Sequence, residues 1–262
     1  MGVRLLRAVL FAASLLLAGV AGARDATPGL PPTLRVLVAT DEMPEMFSFE
    51  TSGPPGFERE LLDGFCRVHG LQLEVVPVQD FDRIIPMLLR GEGDVIAGIV
   101  DTPARREKIA FPTEVFPLRH MAVSRQPRGP VRDAEQLRAL RVGVIPGTSW
   151  ESVVVESGVP TGNRVPYRDA DALLQGLRDG QIDAVVMALL DYSLARKRDP
   201  GLVAGAFLGP TTSAAFGLRK GEDRLAETLN GYLHGMRQAR HHLMFKYLDE
   251  ESLSLIALAR RE

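Results

Sequence analysis

Two stretches of the chain carry the same pattern, LRGEGDVIA at residues 89–97 and RDGQIDAVV at residues 178–186. In each copy a segment with helical spacing ends at a glycine, and an apolar strand begins three residues later at an aspartate, Asp94 or Asp183. The glycine is typical of the turn between a helix and the next strand. Two copies of one such unit predict a chain with two similar lobes.

Helix and strand patterns alternate on both sides of the two copies. In the first half, strands are predicted at residues 34–39, 71–78 and 94–100, and helices at 56–68 and 84–89. In the second half, strands are predicted at 141–145, 164–168 and 183–189, and helices at 149–157 and 169–178, the last capped by Asp169. Two helical stretches, 223–240 and 241–260, close the chain. This alternation predicts an α/β fold with a parallel-rich sheet and helices on its faces.

Residues 1–23 have the three regions of a secretory signal peptide. Arg4 and Arg7 give a basic start, residues 8–20 are uncharged and mostly apolar, and Ala21-Gly22-Ala23 is a small-x-small cleavage site. The apolar run is shorter than the roughly 20 residues that span a bilayer. We therefore expect export to the periplasm as a soluble protein.

Composition narrows the class of protein further. Hydrophobic residues make up 45% of the chain, which is enough for a sizeable core. The net charge of −2 becomes −4 when the two arginines of the signal peptide are removed, which gives no reason to expect a nucleic-acid partner. Cys66 is the only cysteine, so no internal disulfide is possible. We expect a monomer held together by its core.

Polar residues follow the predicted strands at the places where ligands bind. In open α/β sheets, ligands sit beyond the carboxyl ends of the strands, where Asp41, residues 101–106 and the segment PGTSW at 146–150 are found. PGTSW leads into a helix N-terminus, whose N–H groups suit a carboxylate. Arg105 could grip a carboxylate with two hydrogen bonds. Spacing alone leaves open an exposed basic turn at Arg105 and Arg106.

A set of short motifs decides between these two interpretations. They are, in chain order, LRV at 34–36, FSF at 47–49, GFE at 56–58, DFDRIIP at 80–86, TPAR at 102–105, IAF at 109–111, VGV at 142–144, GTS at 147–149, GQIDA at 180–184 and FGLRKG at 216–221. Taken in this order, nearly the whole mature chain resembles the family-3 extracellular solute-binding proteins, which serve polar amino acid uptake by ABC transporters.

The resemblance implies a type II periplasmic binding protein fold. Two α/β lobes would be joined by two crossings, near residues 116–118 and 215–218, and would close like a hinge over the ligand. Lobe one would comprise residues 33–116 and 217–262, and lobe two residues 117–216. An ABC transporter permease is the implied partner, and no cofactor, metal or catalytic group is implied.

The resemblance also assigns roles to individual residues. Arg105 would clamp the carboxylate of the solute, and Phe81 would stack on the body of the solute. The other implied contacts are Asp41, the backbone near Gly98, and Thr148 and Ser149 from lobe two.

Several positions depart from the family pattern. The acid that usually holds the α-ammonium of the ligand falls at Ala188, although Asp191 lies three residues further on. Val100 replaces a usual serine or threonine, and Trp150 stands where a smaller polar residue is common. A buried ammonium without a counter-charge is costly. We therefore predict a less polar cleft and a carboxylate-bearing solute that need not be an α-amino acid.

Two other classes of function remain open. Some periplasmic cyclohexadienyl dehydratases share this fold, and Asp41 and Asp191 are the only acid/base candidates near the predicted cleft. An accessory or sensory binding protein for a periplasmic oxidoreductase or a membrane partner is the other class, and the apolar tail at 247–262 could dock on lobe one or on such a partner. The helical histidines lack the i, i+4 spacing of a zinc site.

Overall fold

The structure of the protein is a computed structural model that describes residues 27–259. The predicted signal peptide at residues 1–23 lies outside the described residues. The strands are β1 (Thr33–Ala39), β2 (Gln72–Val78), β3 (Val95–Asp101), β4 (Ile109–Ala110), β5 (Glu114–Arg125), β6 (Val142–Val144), β7 (Arg164–Pro166), β8 (Ala184–Ala188) and β9 (Leu202–Arg219). The helices are α1 (Phe57–His69), α2 (Ile84–Leu89), α3 (Pro103–Arg106), α4 (Ala134–Arg138), α5 (Ser149–Glu156), α6 (Ala170–Arg178), α7 (Leu189–Arg198), α8 (Asp223–Gly235), α9 (Arg237–Tyr247) and α10 (Glu250–Ala259).

The strands form one sheet whose two halves repeat each other. The order is β2-β1-β3-β9-β5-β8-β6-β7, with β4 paired to β9. β1 is parallel to β2 and β3, and β6 is parallel to β7 and β8, so β7-β6-β8 repeats the arrangement of β2-β1-β3. The predicted α/β class with two similar lobes is confirmed.

Two long antiparallel strands, β5 and β9, run between the halves and were not predicted as strands. Phe116 pairs with Ala214 and Leu118 with Thr212, so the two chain segments lie side by side where they pass from one half to the other. Gly205, Gly209 and other strand breakers interrupt the apolar pattern of β9, which hides its full length of 18 residues. Register shifts between the two strands accommodate these interruptions.

The repeated sequence pattern has a structural cause in each half. The backbone N–H of Arg35 and its guanidinium donate to the Asp94 carboxylate over 2.8–3.1 Å, and the guanidinium also donates to the carbonyl of Gly91 at 2.8 Å. Arg141 makes the same contacts to Asp183, over 3.0–3.1 Å, and to the carbonyl of Gly180 at 2.9 Å. The arginine at the start of one strand thus fixes the turn that leads into the neighbouring strand.

The C-terminal region consists of three helices where two were predicted. α8 ends at Gly235, a poor helix former, and α9 ends before Leu248, whose backbone is extended. The carboxylate of Asp249 accepts from the N–H of Ser252 at 2.9 Å and so begins α10 as an N-cap. Because the helical pattern continues through residues 241–260, the sequence did not reveal that a new helix begins at Asp249.

The described part of the tail packs against the rest of the chain. Ile256 of α10 lies in the same core cluster as Phe116. That cluster also takes up Leu190 from α7, and Ser193 of α7 contacts Ser252 at 3.0 Å. Docking of the tail on lobe one alone stays a prediction, because α10 also packs on α7, which falls within the residues expected for lobe two. Within residues 27–259, no helix is long and apolar enough to cross a membrane.

Candidate functional site

A cavity of about 220 Å³ lies between the two halves of the sheet. It opens at the carboxyl ends of β1, β3, β6 and β8, where the sequence placed the ligand site. All of the residues predicted to contact a ligand line it, namely Asp41, Phe81, Gly98, Arg105, Thr148, Ser149, Trp150 and Ala188. The fold therefore brings these residues together, and their contacts with a solute stay a prediction.

Arg105 is the buried cation of the cavity. It lies in the short helix α3, which Thr102 caps, and only 7% of its surface is exposed. Its guanidinium donates to the carbonyl of Val100 at 2.8 Å and to the carbonyl of Gly147 at 2.9 Å. Burial lowers the pKa of Arg105 to about 10, which still leaves it charged at neutral pH. Neutral carbonyls are its partners, so the charge is free to attract an anion.

Phe81 supports this guanidinium. The centre of its ring lies 5.4 Å from the guanidinium carbon of Arg105, within the range of a cation–π contact. Phe81 is half-buried and begins a single 3₁₀ turn at residues 81–83. The ring therefore holds Arg105 in place in addition to lining the cavity.

The PGTSW segment forms the N-terminus of α5, as predicted. The Thr148 hydroxyl accepts from the N–H of Glu151 at 3.2 Å and donates to the carbonyl of Ile145 at 2.7 Å. Its single proton is therefore already used inside the protein. Thr148 fixes the helix end, and the hydroxyl that remains for a ligand on this segment is that of Ser149.

Ser149 is the first residue of α5 and contacts a buried histidine. Its hydroxyl lies 2.9 Å from Nε2 of His120, which is on β5 and only 1% exposed. Burial and the nearby charge of Arg105 lower the pKa of His120 to about 4, so the ring is neutral. His120 was not predicted as a site residue, because nothing in its sequence surroundings distinguishes it from the apolar strand.

Two glutamates meet at Gly98, which also lines the cavity. Gly98 has a φ of +64°, where β3 shifts register against β9, and its N–H donates to the buried carboxyl of Glu58 at 2.7 Å. The carboxyl of Glu42 lies over the same residue, so close that a Cβ on Gly98 would be 2.2 Å from it. The left-handed glycine thus makes room for a pair of carboxyl groups.

Asp191 is the third carboxyl group of the cavity. The sequence left open whether it replaces the acid that the family usually has at position 188. Asp191 lies in the first turn of α7 and lines the cavity. The backbone N–H of Ala188 and the indole N–H of Trp150 lie close enough to favour the charged form of its carboxyl group and so to oppose the rise of its pKa. An acid at this position commonly reaches back to the N-cap residue of its helix, and Ala188 has no side chain to cap α7 itself. The chain therefore turns Asp191 inward, next to the position where the family usually has its acid.

Burial raises the pKa of each of these three carboxyl groups. The pKa of Glu58 and that of Asp191 rise to about 7, and the pKa of Glu42 rises well above its usual range because Glu58 and Asp191 add their charges. No lysine or arginine among residues 27–259 forms an ion pair with them. The prediction of a less polar cleft rested on Val100, Trp150 and Ala188, which do line the cavity. It did not include these acids, which come from α1, from α7 and from the loop after β1.

Asp41 has a different part in the cleft. Its carboxylate accepts from the N–H of Ala170, the first residue of α6 in the other half, at 2.9 Å. Burial raises the pKa of Asp41. Arg198 and Glu45 form a second contact between the halves at 3.4 Å, and the bond from Arg105 to Gly147 is a third. Asp41 therefore joins the two sides of the cleft.

Known proteins similar to this chain share its sequence family and its fold. The sequence model of the bacterial extracellular solute-binding proteins, family 3, matches residues 34–250. An ancestral arginine-binding protein bound to arginine is 26% identical, has a TM-score of 0.74 and covers 84% of this chain and 99% of its own. The holo ArgBP from T. maritima is 26% identical, with a TM-score of 0.71 and coverage of 79% and 91%.

The curated relatives are longer proteins. Membrane-bound lytic murein transglycosylase F of Idiomarina loihiensis is 28% identical over 69% of this chain and 41% of its own length. The protein of the same name from Alcanivorax borkumensis is 27% identical over 58% of this chain and 34% of its own length. The chain thus spans well under half of the length of the curated relatives that it matches.

Proposed function

The chain belongs to the bacterial extracellular solute-binding proteins of family 3, and we propose that its two lobes close on a small solute with a carboxylate at one end and a cationic group at the other. The observation that carries this proposal is the arrangement of charge in the cavity. One buried guanidinium and three carboxyl groups without a basic partner line it, and Arg105 is not among the groups that shift the pKa of these three acids.

The anionic end of the solute would lie between Arg105 and the start of α5. The Arg105 guanidinium can exchange one of its carbonyl partners for a carboxylate, which forms stronger, charge-assisted hydrogen bonds. Ser149 and Trp150, the first two residues of α5, line the same cavity, and the N–H groups of a first helical turn have no partner within the helix. This end corresponds to the carboxylate site expected from the sequence.

The cationic end would lie against Glu42, Glu58 and Asp191. A cation there relieves the repulsion between these buried acids and offsets the cost of burying their charges. We therefore propose that Asp191 replaces the missing acid at position 188 and that the solute is an amino acid with a basic side chain. The similarity to arginine-binding proteins supports this class of solute.

The size of the cavity supports a free amino acid over a larger ligand. Sites for drug-sized ligands enclose about 300–1,000 Å³, and this one encloses about 220 Å³. We further propose the lobe boundaries expected from the sequence, with lobe one at residues 33–116 and 217–262 and lobe two at 117–216. The side-by-side pairing of β5 and β9 supports a hinge at the two crossings.

We propose a periplasmic location and the permease of an ABC importer as the partner of a monomeric protein. The family description, which names extracellular solute-binding proteins, supports this context. A second candidate is a ligand-sensing domain of a cell-wall enzyme, since the curated relatives are named membrane-bound lytic murein transglycosylase F. Co-purification from the native envelope separates the two, because an importer subunit brings down a permease and a sensing domain brings down cell-wall proteins.

A dehydratase is the remaining candidate for the same cleft, because it contains two carboxyl groups whose pKa is raised to about 7. Such groups can act as general acid or base near neutral pH. Incubation with prephenate or arogenate tests a dehydratase activity, and formation of the aromatic product would favour an enzyme over a binding protein.

Calorimetry with three related compounds tests the proposed solute class. L-arginine carries the carboxylate, the α-ammonium and a cationic side chain, agmatine lacks the carboxylate, and 5-guanidinopentanoate lacks only the α-ammonium that Asp191 is proposed to hold. We expect L-arginine to bind and each analogue to bind at least about 30-fold more weakly, because each leaves a buried charge unpaired. Tighter binding of amine-free carboxylates such as glutarate than of L-arginine would contradict the proposal.

A further inference from the structure

The contact between His120 and Ser149 has an orientation that decides what Ser149 offers to a ligand. The two side chains lie 2.9 Å apart, and both are buried. The other ring nitrogen of His120, Nδ1, is buried without a hydrogen-bond partner among the described residues. His120 itself does not line the cavity, whereas Ser149 does.

A neutral imidazole carries one proton, on either Nδ1 or Nε2. With the proton on Nδ1, an N–H group would be buried unpaired, and Nε2 would accept the only proton of Ser149. The ligand would then meet the lone pairs of the hydroxyl, next to a site built for an anion. With the proton on Nε2, the ring donates to Ser149, and the hydroxyl proton is left to point into the cavity.

We infer that His120 is the Nε2–H tautomer and acts as a positioning residue that turns the Ser149 hydroxyl proton toward the ligand carboxylate. This inference rests on the proposed function, because it takes a carboxylate as the ligand group near Arg105. A buried donor without a partner is rarer than an acceptor without one, which favours the same tautomer. The Ser149 hydroxyl thereby becomes a second donor beside the Arg105 guanidinium.

The same geometry speaks against a nucleophilic serine. An activated serine needs a histidine that accepts its proton and a third group that orients the other ring nitrogen. No described residue bonds to Nδ1 of His120, and the nearest charge that acts on the ring is the cation of Arg105. The pair is therefore arranged to donate a hydrogen bond to a ligand.

The tautomer can be read directly from the unliganded protein. A long-range ¹H–¹⁵N spectrum of protein labelled at histidine, with His120→Gln for assignment, should show Nε2 protonated and Nδ1 bare at neutral pH. A ring protonated on Nδ1, or on both nitrogens, overturns the inference whether or not any ligand is known.

A double-mutant cycle measures the positioning effect with L-arginine as the probe. Ser149→Ala should weaken binding about 10- to 100-fold, and His120→Leu about 10-fold, because a hydrogen bond to a charged group is lost or misdirected. His120→Gln keeps an N–H at a similar reach and should stay within about threefold of the original chain. In the Ser149→Ala background, His120→Leu should cost nothing further.

Equal costs of His120→Leu with and without Ser149 would overturn the inference, since they would indicate a merely structural role. The melting temperature of each variant shows whether it folds, and the spectrum of the original chain needs no variant that might fail to fold. If the original chain does not bind L-arginine, the proposed solute class fails, and the tautomer still decides the inference.

Discussion

Arg105 donates a hydrogen bond across the cleft to the carbonyl oxygen of Gly147, at 2.9 Å. The bond links α3 of one half to the segment before α5 of the other. It leaves the guanidinium charge without a carboxylate partner, so a solute carboxylate can compete for the same N–H groups. The residue that we propose as the anion clamp thus also takes part in joining the lobes.

Replacement of Arg105 by alanine should remove most of the affinity for L-arginine. The loss of a buried, hydrogen-bonded charge pair costs about 2–5 kcal/mol, which is a weakening of at least about 30-fold. Arg106→Ala is the matched control, since Arg106 is the next residue, has a side chain that is 60% exposed and pairs with Asp101. Calorimetry should show a change of less than about threefold in that control. An unchanged affinity in Arg105→Ala would remove the residue from the site.

The affinity for a cationic solute should rise with pH between about 5.5 and 8. The pKa of Glu58 and that of Asp191 are raised to about 7, so below pH 7 these groups are protonated and must release a proton when a cation binds. Each released proton changes the affinity by up to about tenfold per pH unit. Calorimetry in buffers of different ionisation enthalpy measures the release, and a pH-independent affinity would show that these acids do not meet the cation.

Asp191→Asn should stabilise the unliganded protein above pH 7. The pKa of Asp191 is near 3.8 in the unfolded chain and about 7 in the folded protein, so the folded state binds more protons between these values. The contribution of Asp191 to stability therefore falls as pH rises from about 4 to 7. Above pH 7 the total loss is on the order of 1–3 kcal/mol.

Thermal unfolding at pH 5 and at pH 8 checks this linkage. The asparagine variant should lose less stability between the two values than the original chain does, and it should bind L-arginine more weakly. Glu50→Gln, at an exposed acid, is the control. An equal pH dependence in both chains would mean that Asp191 ionises freely in the folded state.

Gly98→Ala should destabilise the protein more than Gly91→Ala. Both glycines have a positive φ, +64° and +78°, and a left-handed backbone costs a residue with a Cβ about 1–2 kcal/mol. At Gly98 the new Cβ would also lie 2.2 Å from a carboxyl oxygen of Glu42. At Gly91 no atom lies within 4 Å of the new Cβ. Denaturant unfolding should rank the two, and only the change at Gly98 should alter ligand affinity. Equal effects would show that Glu42 moves aside freely.

Asp41→Ala should shift the protein toward an open cleft. It removes the acceptor of the N–H of Ala170, a half-buried contact between the lobes. The exposed pair of Arg198 and Glu45 is the comparison, because surface ion pairs contribute about 0–1 kcal/mol. Small-angle scattering should record a larger radius of gyration for Asp41→Ala than for Glu45→Ala. Equal radii would indicate that Asp41 does not hold the cleft closed.

The repeated pattern at Gly91 and Gly180 predicted the fold well, because the glycine and the aspartate of each copy are needed by the local turn. Each glycine has a positive φ, and each aspartate accepts hydrogen bonds from an arginine on the neighbouring strand. The rule on strand ends located Asp41, Arg105 and the segment 148–150, whereas Phe81, Gly98 and Ala188 came from the family resemblance. Local sequence rules did not predict β5 and β9, because glycine and proline break the apolar pattern and because the two strands pair over a long distance in sequence.

The acidic end of the cavity could be predicted only in part. Glu42 directly follows Asp41, so the rule on strand ends could have included it. Glu58 lies 40 residues from Gly98 in sequence, and only the register shift in β3 turns the N–H of that glycine toward it. His120 depends on the pairing of β5 with β8, which brings it opposite Ala188. Such contacts require the three-dimensional sheet.

Three hydrogen bonds join the two halves across the cleft, those of Asp41, Arg105 and Arg198. We expect a solute to enter the cavity while these bonds are broken, so they should limit the rate of capture. Lid and domain openings of this kind occur on microsecond to millisecond timescales. The observed association rate should therefore level off at high solute concentration, at the opening frequency of the cleft, and residence time should be governed by how long the same bonds hold after closure.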